Sequence, residues 1–367
     1  MTRWKTETEI RHQPTVWAAW AGAFAARLAV LRDWIAQSDA TEVWLCGAGT
    51  SAFIGDLVAS GLGATSVLPL RAVASTDLVA APMLFARPGV RPLVVSFGRS
   101  GDSAESIGTL DVLDALWPDA PRLNITCNAT SVLARRSGTN QRVVVLPEAT
   151  HDAGFAMTSS FSTMLLTALG LLDAELGTQP TKFADRIGVL SKAGDALLTT
   201  ASRWACQQRL PSRLVVLGSG PLTFAARESA LKVMELSAGK VPALWDSMLG
   251  FRHGPKSFVD DTTAILGFLS SDPHSVRYDN DLMAEFGAQF PRSVRTSIGT
   301  DPASDLSFDS GLPDVWNAVL YVMVAQLLAV HWAKSLGNNV DNPFEGQATL
   351  TRVVSGVTLY PVGKTVG

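Results

Sequence analysis

The chain has 367 residues, 47% of them apolar and 17% charged, a globular composition with enough length for two domains or one large one. A formal net charge of −3 leaves no electrostatic footprint for nucleic acid. The opening stretch, MTRWKTETEIRHQP, is too polar for a signal peptide. Cys46, Cys127 and Cys206 are far apart and lie in or beside apolar segments, so they read as buried, reduced thiols of a cytoplasmic protein.

Apolar residues at helical spacing (Trp17, Trp20, Phe24, Leu28, Leu31, Trp34, Ile35) predict a helix over 15–37. A βα alternation follows. Strands are expected at 41–46, 66–74, 93–96, 123–126 and 142–146 with helical stretches between them, which is the pattern of a parallel sheet. The polar run 173–186 marks the boundary. Beyond it come a helix over 187–206, a strand at 213–217, a helix over 224–236, strands at 263–270 and 293–298, and a helix over 315–336. That last segment is the most apolar of the chain, yet Asn317, Gln326, His331 and Lys334 within it favour a buried core helix over a membrane span. The unit of strand, Gly-x-Gly and helix occurs at Gly47-Ala48-Gly49 and again at Gly218-Ser219-Gly220, so the two α/β halves suggest an internal duplication.

The glycine turns do not carry a nucleotide. After Gly49-Thr50-Ser51 comes Ala52 where the dinucleotide fingerprint needs glycine, the second strand ends without an acid, and no Gly-x-x-x-x-Gly-Lys-Ser/Thr is present. What remains are hydroxyl-rich turns at the carboxyl ends of strands: Thr50/Ser51, Ser96 to Ser106, and Thr158/Ser159/Ser160. Such a turn at a helix start offers backbone N–H groups and the positive end of the helix dipole, a seat for a phosphate monoester that needs no lysine. A serine-rich turn in which Ser103 or Asp102 is an ordinary N-cap explains the same residues.

Titratable groups come from the second half. Glu228, Lys232 and Glu235 fall on one helix face, and Ala230, Leu231, Val233, Met234 and Leu236 around them place that helix in the interior, where charges are paired or functional. His253, in Gly250-Phe251-Arg252-His253-Gly254-Pro255-Lys256, is presented by a Gly/Pro-bounded loop, and His151 is the second candidate histidine. No spacing of His, Cys and carboxylates suggests a metal site, and no cofactor is expected.

The segments GAGTSAFIGD (47–56), SFGRSGDSAES (96–106), HDAGFAMTSSF (151–161), ARESALKVMELSAGK (226–240) and FRHGPKSFVDD (251–261) resemble the sugar-isomerase (SIS) domain superfamily. Within it they most resemble the AgaS group, whose members are named tagatose-6-phosphate ketose/aldose isomerases or galactosamine-6-phosphate deaminases. The resemblance implies two SIS domains, each a five-stranded parallel sheet in an αβα sandwich. It implies an arrangement of an N-terminal helical segment 1–40, a first SIS domain 41–185, a second 186–345 and a tail 346–367. It further implies a homodimer or larger assembly with sites near subunit interfaces, acting on a small sugar phosphate, with neither nucleic acid nor membrane as partner.

The resemblance also implies residue roles. Ser100 and Ser103 hold the phosphate in a loop shaped by Gly98, Arg99 and Gly101, and Thr50, Ser51 and Thr158 bind the sugar. Glu235 moves a proton between C1 and C2, and His253 opens the ring. Relatives carry a tail lysine capable of imine formation, whereas Arg352 stands at the best-matching position here. An arginine stays protonated, which leaves Arg352, like Lys232, the stabilisation of a developing oxyanion or the binding of substrate. The expected reaction is deamination of galactosamine 6-phosphate to tagatose 6-phosphate and ammonia through an enolamine. A plain aldose/ketose isomerase and a glucosamine-6-phosphate-type deaminase remain alternatives, as does a non-catalytic sugar-phosphate sensor, which needs the 96–106 turn but not Glu235 and His253.

Overall fold

A computed structural model describes residues 4–136, 138, 140–177, 179–347 and 350–362. Its elements run α1 (Lys5–Ala36), β1 (Glu42–Gly47), α2 (Thr50–Leu62), β2 (Leu70–Ala74), α3 (Ser75–Ala80), β3 (Pro92–Gly98), α4 (Ala104–Leu116), β4 (Arg122–Thr126), α5 (Val132–Arg135), β5 (Gln141–Val145), α6 (Ser159–Leu172) and α7 (Pro180–Gln207). The second half continues with β6 (Arg213–Gly218), α8 (Leu222–Leu236), β7 (Ala243–Asp246), α9 (Met248–Phe251), β8 (Thr263–Phe268), α10 (Ser275–Gln289), β9 (Val294–Gly299), β10 (Leu306–Ser307) and α11 (Asp314–Ser335). Two five-stranded, all-parallel sheets result, with helices on both faces, as the βα alternation and the resemblance implied.

By their contacts the described residues form two compact units. One holds the first sheet and lies within Ala19–Asp152, Ser159–Ala184 and Ala348–Gly367. The other holds the second sheet and lies within Met1–Ala18, Ala153–Thr158 and Asp185–Gln347.

In the first-sheet unit the strand order is β2-β1-β3-β4-β5. Strands β1, β3 and β4 are buried along their whole length, as parallel strands covered on both faces must be. Trp44, Cys46, Val73, Val94, Val112 and Leu113 form a core cluster between this sheet and α4. The strand order reverses at β1 and β3, which pair in register Cys46 with Ser96. The turns leaving these two neighbouring strands therefore open at the switch point where open α/β sheets bind ligands.

In the second-sheet unit the order is β10-β9-β8-β6-β7, the same pattern with β6 and β8 at the switch. Both halves need glycine at the strand end for one steric reason. A Cβ on Gly47 would lie 2.4 Å from the Ser51 carbonyl carbon, and one on Gly218 would lie 2.6 Å from the Leu222 oxygen. α11 packs against α8 and is buried almost throughout, with Asn317 donating to the Leu312 carbonyl at 2.7 Å and accepting from Ser310 at 2.6 Å. By length and composition both α1 and α11 are long and apolar enough to cross a membrane, but the apolar stretch of α11 is 94% buried inside this unit.

The structure departs from the sequence reading at several places. α1 starts at Lys5 rather than near 15, because the Asp341 carboxylate accepts from the Lys5 and Thr6 amides at 2.9 Å and so caps the first turn from 335 positions away. Pro14 inside the helix is accommodated as well, and its carbonyl accepts from Ser191 Oγ at 2.7 Å. The short strands β7 and β10 lack an alternating apolar pattern and exist by pairing with β6 and β9. Cys46 and Cys127 are buried, and burial pushes both thiols up to about 12. Cys206 is exposed, in the last turn of α7, where its neighbour Ala205 faces the core instead.

Candidate functional site

The candidate anion seat of the first-sheet unit comprises the turns after β1 and β3. Thr50 and Ser51 open α2 and are each 5% exposed, next to Gly49, whose φ of 56° suits glycine. After β3, Gly98 approaches Gly101 closely, since a Cβ on it would lie 3.2 Å from the Gly101 Cα. Gly101 itself has φ 66°, and a Cβ there would meet the Ser131 Oγ at 2.4 Å. Ser100 Oγ accepts from the Asp102 amide at 3.3 Å. The Asp102 carboxylate accepts from the Val132 amide at 2.8 Å and from Asn128 Nδ2 at 3.3 Å, so it serves the start of α5.

Ser103 is the N-cap of α4, its Oγ accepting from the Ser106 amide at 3.3 Å and lying 2.9 Å from Ser106 Oγ. The cap thus falls on a residue that the sequence singled out for phosphate binding. Ser96, near the carboxyl end of β3 before this loop, is 5% exposed, and its Oγ has no hydrogen-bond partner among the described residues. A buried hydroxyl in that state is a position where a ligand or water oxygen is called for.

Arg99 is 7% exposed, and its Nη2 donates to the Arg352 carbonyl at 2.9 Å. The Arg352 guanidinium in turn donates to the Asp152 carbonyl. The Asp152 carboxylate caps α6, accepting from the Ser159 and Ser160 amides at 3.0 and 2.9 Å and from Ser160 Oγ at 2.5 Å. Burial, followed by the Arg352 cation, holds the neighbouring His151 below the ordinary histidine value. Thr158 is fully buried and belongs by its contacts to the second-sheet unit.

In the second-sheet unit α8 carries three charges on one face. Lys232 is 1% exposed and Glu228 not at all, with Lys232 Nζ 3.4 Å from Glu228 Oε1. The same ammonium lies 2.5 Å from Glu235 Oε2, and the Glu235 side chain is 22% exposed. One carboxylate is therefore sealed in the interior and the other reaches the surface, with a cation between them. That asymmetry suits a base: the exposed oxygen can meet a substrate carbon while the buried ammonium holds the other oxygen in place.

His253 is exposed in the turn after α9. The basic residues on either side of it are both anchored to Glu285 of α10, Arg252 Nε at 2.8 Å from Oε2 and Lys256 Nζ against Oε1. These two cations, Lys256 first, hold the Glu285 carboxyl below its ordinary value. Sequence reasoning missed this clamp, as it missed the Arg99 contact with the tail. Glu285 lies 33 positions from Arg252 and Arg352 lies 253 from Arg99, and no local pattern marks either pairing.

A SIS domain profile matches residues 38–172. The D-galactosamine-6-phosphate deaminase AgaS of Escherichia coli is 38% identical over 372 residues, covering 97% of this chain and 95% of that protein. The protein of the same name from Shewanella sp. (strain ANA-3) is 37% identical, covering 98% and 92%. Among solved structures, the tagatose-6-phosphate ketose/aldose isomerase of Escherichia coli superposes with a TM-score of 0.87 at 36% identity, covering 97% of this chain and 96% of that one.

Proposed function

From the premise that this chain belongs to the AgaS family of SIS-domain proteins, we propose that it deaminates galactosamine 6-phosphate, with water, to tagatose 6-phosphate and ammonia. The observation that carries the chemistry is the Lys232–Glu235 contact of 2.5 Å on α8, which gives the chain a carboxylate that is fixed by a buried cation and still reaches the surface. The names of the relatives support the choice of substrate.

In this reading the phosphate is held by the hydroxyls of Ser100 and Ser103 and the amides at the start of α4, in the loop formed by Gly98, Arg99 and Gly101. Thr50, Ser51 and Thr158 bind the sugar. His253 transfers a proton between O5 and O1 to open the ring. Glu235 removes the proton from C2, and Lys232 or Arg352 stabilises the negative charge that develops on the C1 oxygen. Returning the proton to C1 turns the enolamine into a ketimine. Water adds to its carbon, the C–N bond breaks, and the products are ketose phosphate and ammonia. With a hydroxyl at C2 the same steps yield plain aldose–ketose isomerisation, which the name of the solved relative favours as the second reading. The assembly in this reading is a homodimer or a larger homo-oligomer, which light scattering checks.

The deciding experiment offers galactosamine 6-phosphate and glucosamine 6-phosphate separately and measures ammonia. Release from the galacto substrate supports the proposal, and release from the gluco substrate alone moves the assignment to the other epimer. Ammonia from neither sinks deamination and leaves isomerisation or sugar-phosphate sensing.

A further inference from the structure

We infer that Arg99 is a positioning residue that ties the C-terminal tail to the phosphate seat, and that tail and phosphate compete for the first amide of α4. The inference rests on the reading of the 96–106 turn as a phosphate seat. Arg99 is the first residue after β3 in that loop, and its Nη2 donates at 2.9 Å to the backbone carbonyl of Arg352. Two residues further along the tail, the Val354 carbonyl accepts from the Ala104 amide at 3.4 Å. Ala104 is the first residue of α4, directly after the N-cap Ser103, so its N–H is one of the donors a helix start offers to an anion. Beyond this point the tail is held by apolar contact. Leu359 fills the space over Gly108, where a Cβ would come within 2.9 Å of its Cδ2, and Val362 packs on the cluster containing Val73, Leu78 and Val112.

The tail is thus fastened near the seat by Arg99 and by the Arg352 guanidinium on the Asp152 carbonyl, and on α4 by Leu359 and Val362, with the contact to Ala104 between them. That middle contact is long and joins two neutral groups. A phosphate oxygen offers the same amide a charge-assisted bond roughly twice as strong. Phosphate therefore takes the amide, the Val354 carbonyl yields, and Arg99 keeps the Arg352 segment in place while it does so. Occupancy of the seat is reported to the tail through one N–H group.

Trypsin cleavage at the Arg352–Val353 bond of the full chain, followed by mass spectrometry, reads this without any turnover. Arg99→Gln is expected to speed that cleavage about tenfold, the effect of removing one hydrogen bond from a charged donor. Saturating inorganic phosphate is expected to speed it in the wild type. Ala104→Pro removes the amide at a helix position that accepts proline, after a Ser103 backbone (φ −64°, ψ 151°) already suited to precede one. Its cleavage should be fast and indifferent to phosphate, and this variant decides the matter if Arg99→Gln fails to fold. If the protein proves to be a deaminase, Arg99→Gln lowers kcat for ammonia release and Arg99→Lys recovers part of it. Equal cleavage of wild type and Arg99→Gln, or a wild-type rate that phosphate leaves unchanged, overturns the inference. Absence of ammonia from galactosamine 6-phosphate bears only on the proposed function, because the proteolysis requires no reaction.

Discussion

Lys232 Nζ sits 2.5 Å from Glu235 Oε2, three positions along α8, and is itself buried to 1% exposure. Within a helix this spacing brings two side chains onto one face, and on a solvated surface such a pair contributes only a few tenths of a kcal/mol, about 0.2–0.5. Here the ammonium has lost its water, so this is an interior pair rather than a surface one, and removing one partner would leave a charge buried.

Glu235→Gln keeps the shape of the side chain and removes the base. Sugar-phosphate binding, measured by calorimetry, should stay close to wild type. Deuterium uptake at C2 from heavy water should fall by about 100-fold to 10,000-fold, the range for losing a positioned general base. Retained exchange would remove Glu235 from the role.

Lys232→Met strips the cation from the buried Glu228 and should cost about 3–5 kcal/mol in denaturant unfolding, as breaking one side of a buried ion pair does. Glu228→Gln together with Lys232→Met should recover much of that loss, since no charge is then left inside. A double variant no better than the single one would show that Lys232 matters for packing rather than for charge.

The clamp on the His253 loop responds to acid. Arg252 and Lys256 lower the Glu285 pKa below the ordinary 4.5, so the folded state binds this proton less readily than the unfolded chain. The contribution is fully present above pH 4.5 and is lost as pH falls through the lowered value. Amide exchange of residues 252–257 should therefore be slow and level at neutral pH and accelerate on the acid side. Glu285→Gln should show fast exchange and no such transition.

The proposed double role of Ser103 is separable from the proposed single role of Ser100. Ser103→Ala should lose about 0.5–2 kcal/mol without any ligand, because the α4 cap is gone. Ser100→Ala should leave the thermal midpoint of the free protein nearly unchanged. Both should weaken sugar-phosphate binding, and an unaltered affinity in Ser100→Ala would show that this hydroxyl lies outside the seat.

The sequence by itself determined the central strands of the two parallel sheets, since these are apolar runs with helical periodicity between them, whereas β7 and β10 carry no such pattern. It also determined the glycine-bounded turns after β1 and β3, where the residue type follows from local sterics: Gly101 stands at φ 66° against Ser131. The i, i+4 and i+3 spacing of Glu228, Lys232 and Glu235 was equally legible, because a helix face is a local property. What only the tertiary structure decided are contacts between residues far apart in the chain. Asp341 starts α1 ten residues before its apolar pattern begins, Glu285 holds both sides of His253, and Arg99 turns to a carbonyl of the tail. Each is a set of one to three polar bonds whose partners are chosen by the folding of the whole unit. Such a bond leaves no period in the sequence, whereas burial of a strand or helix face repeats along it and can be read there.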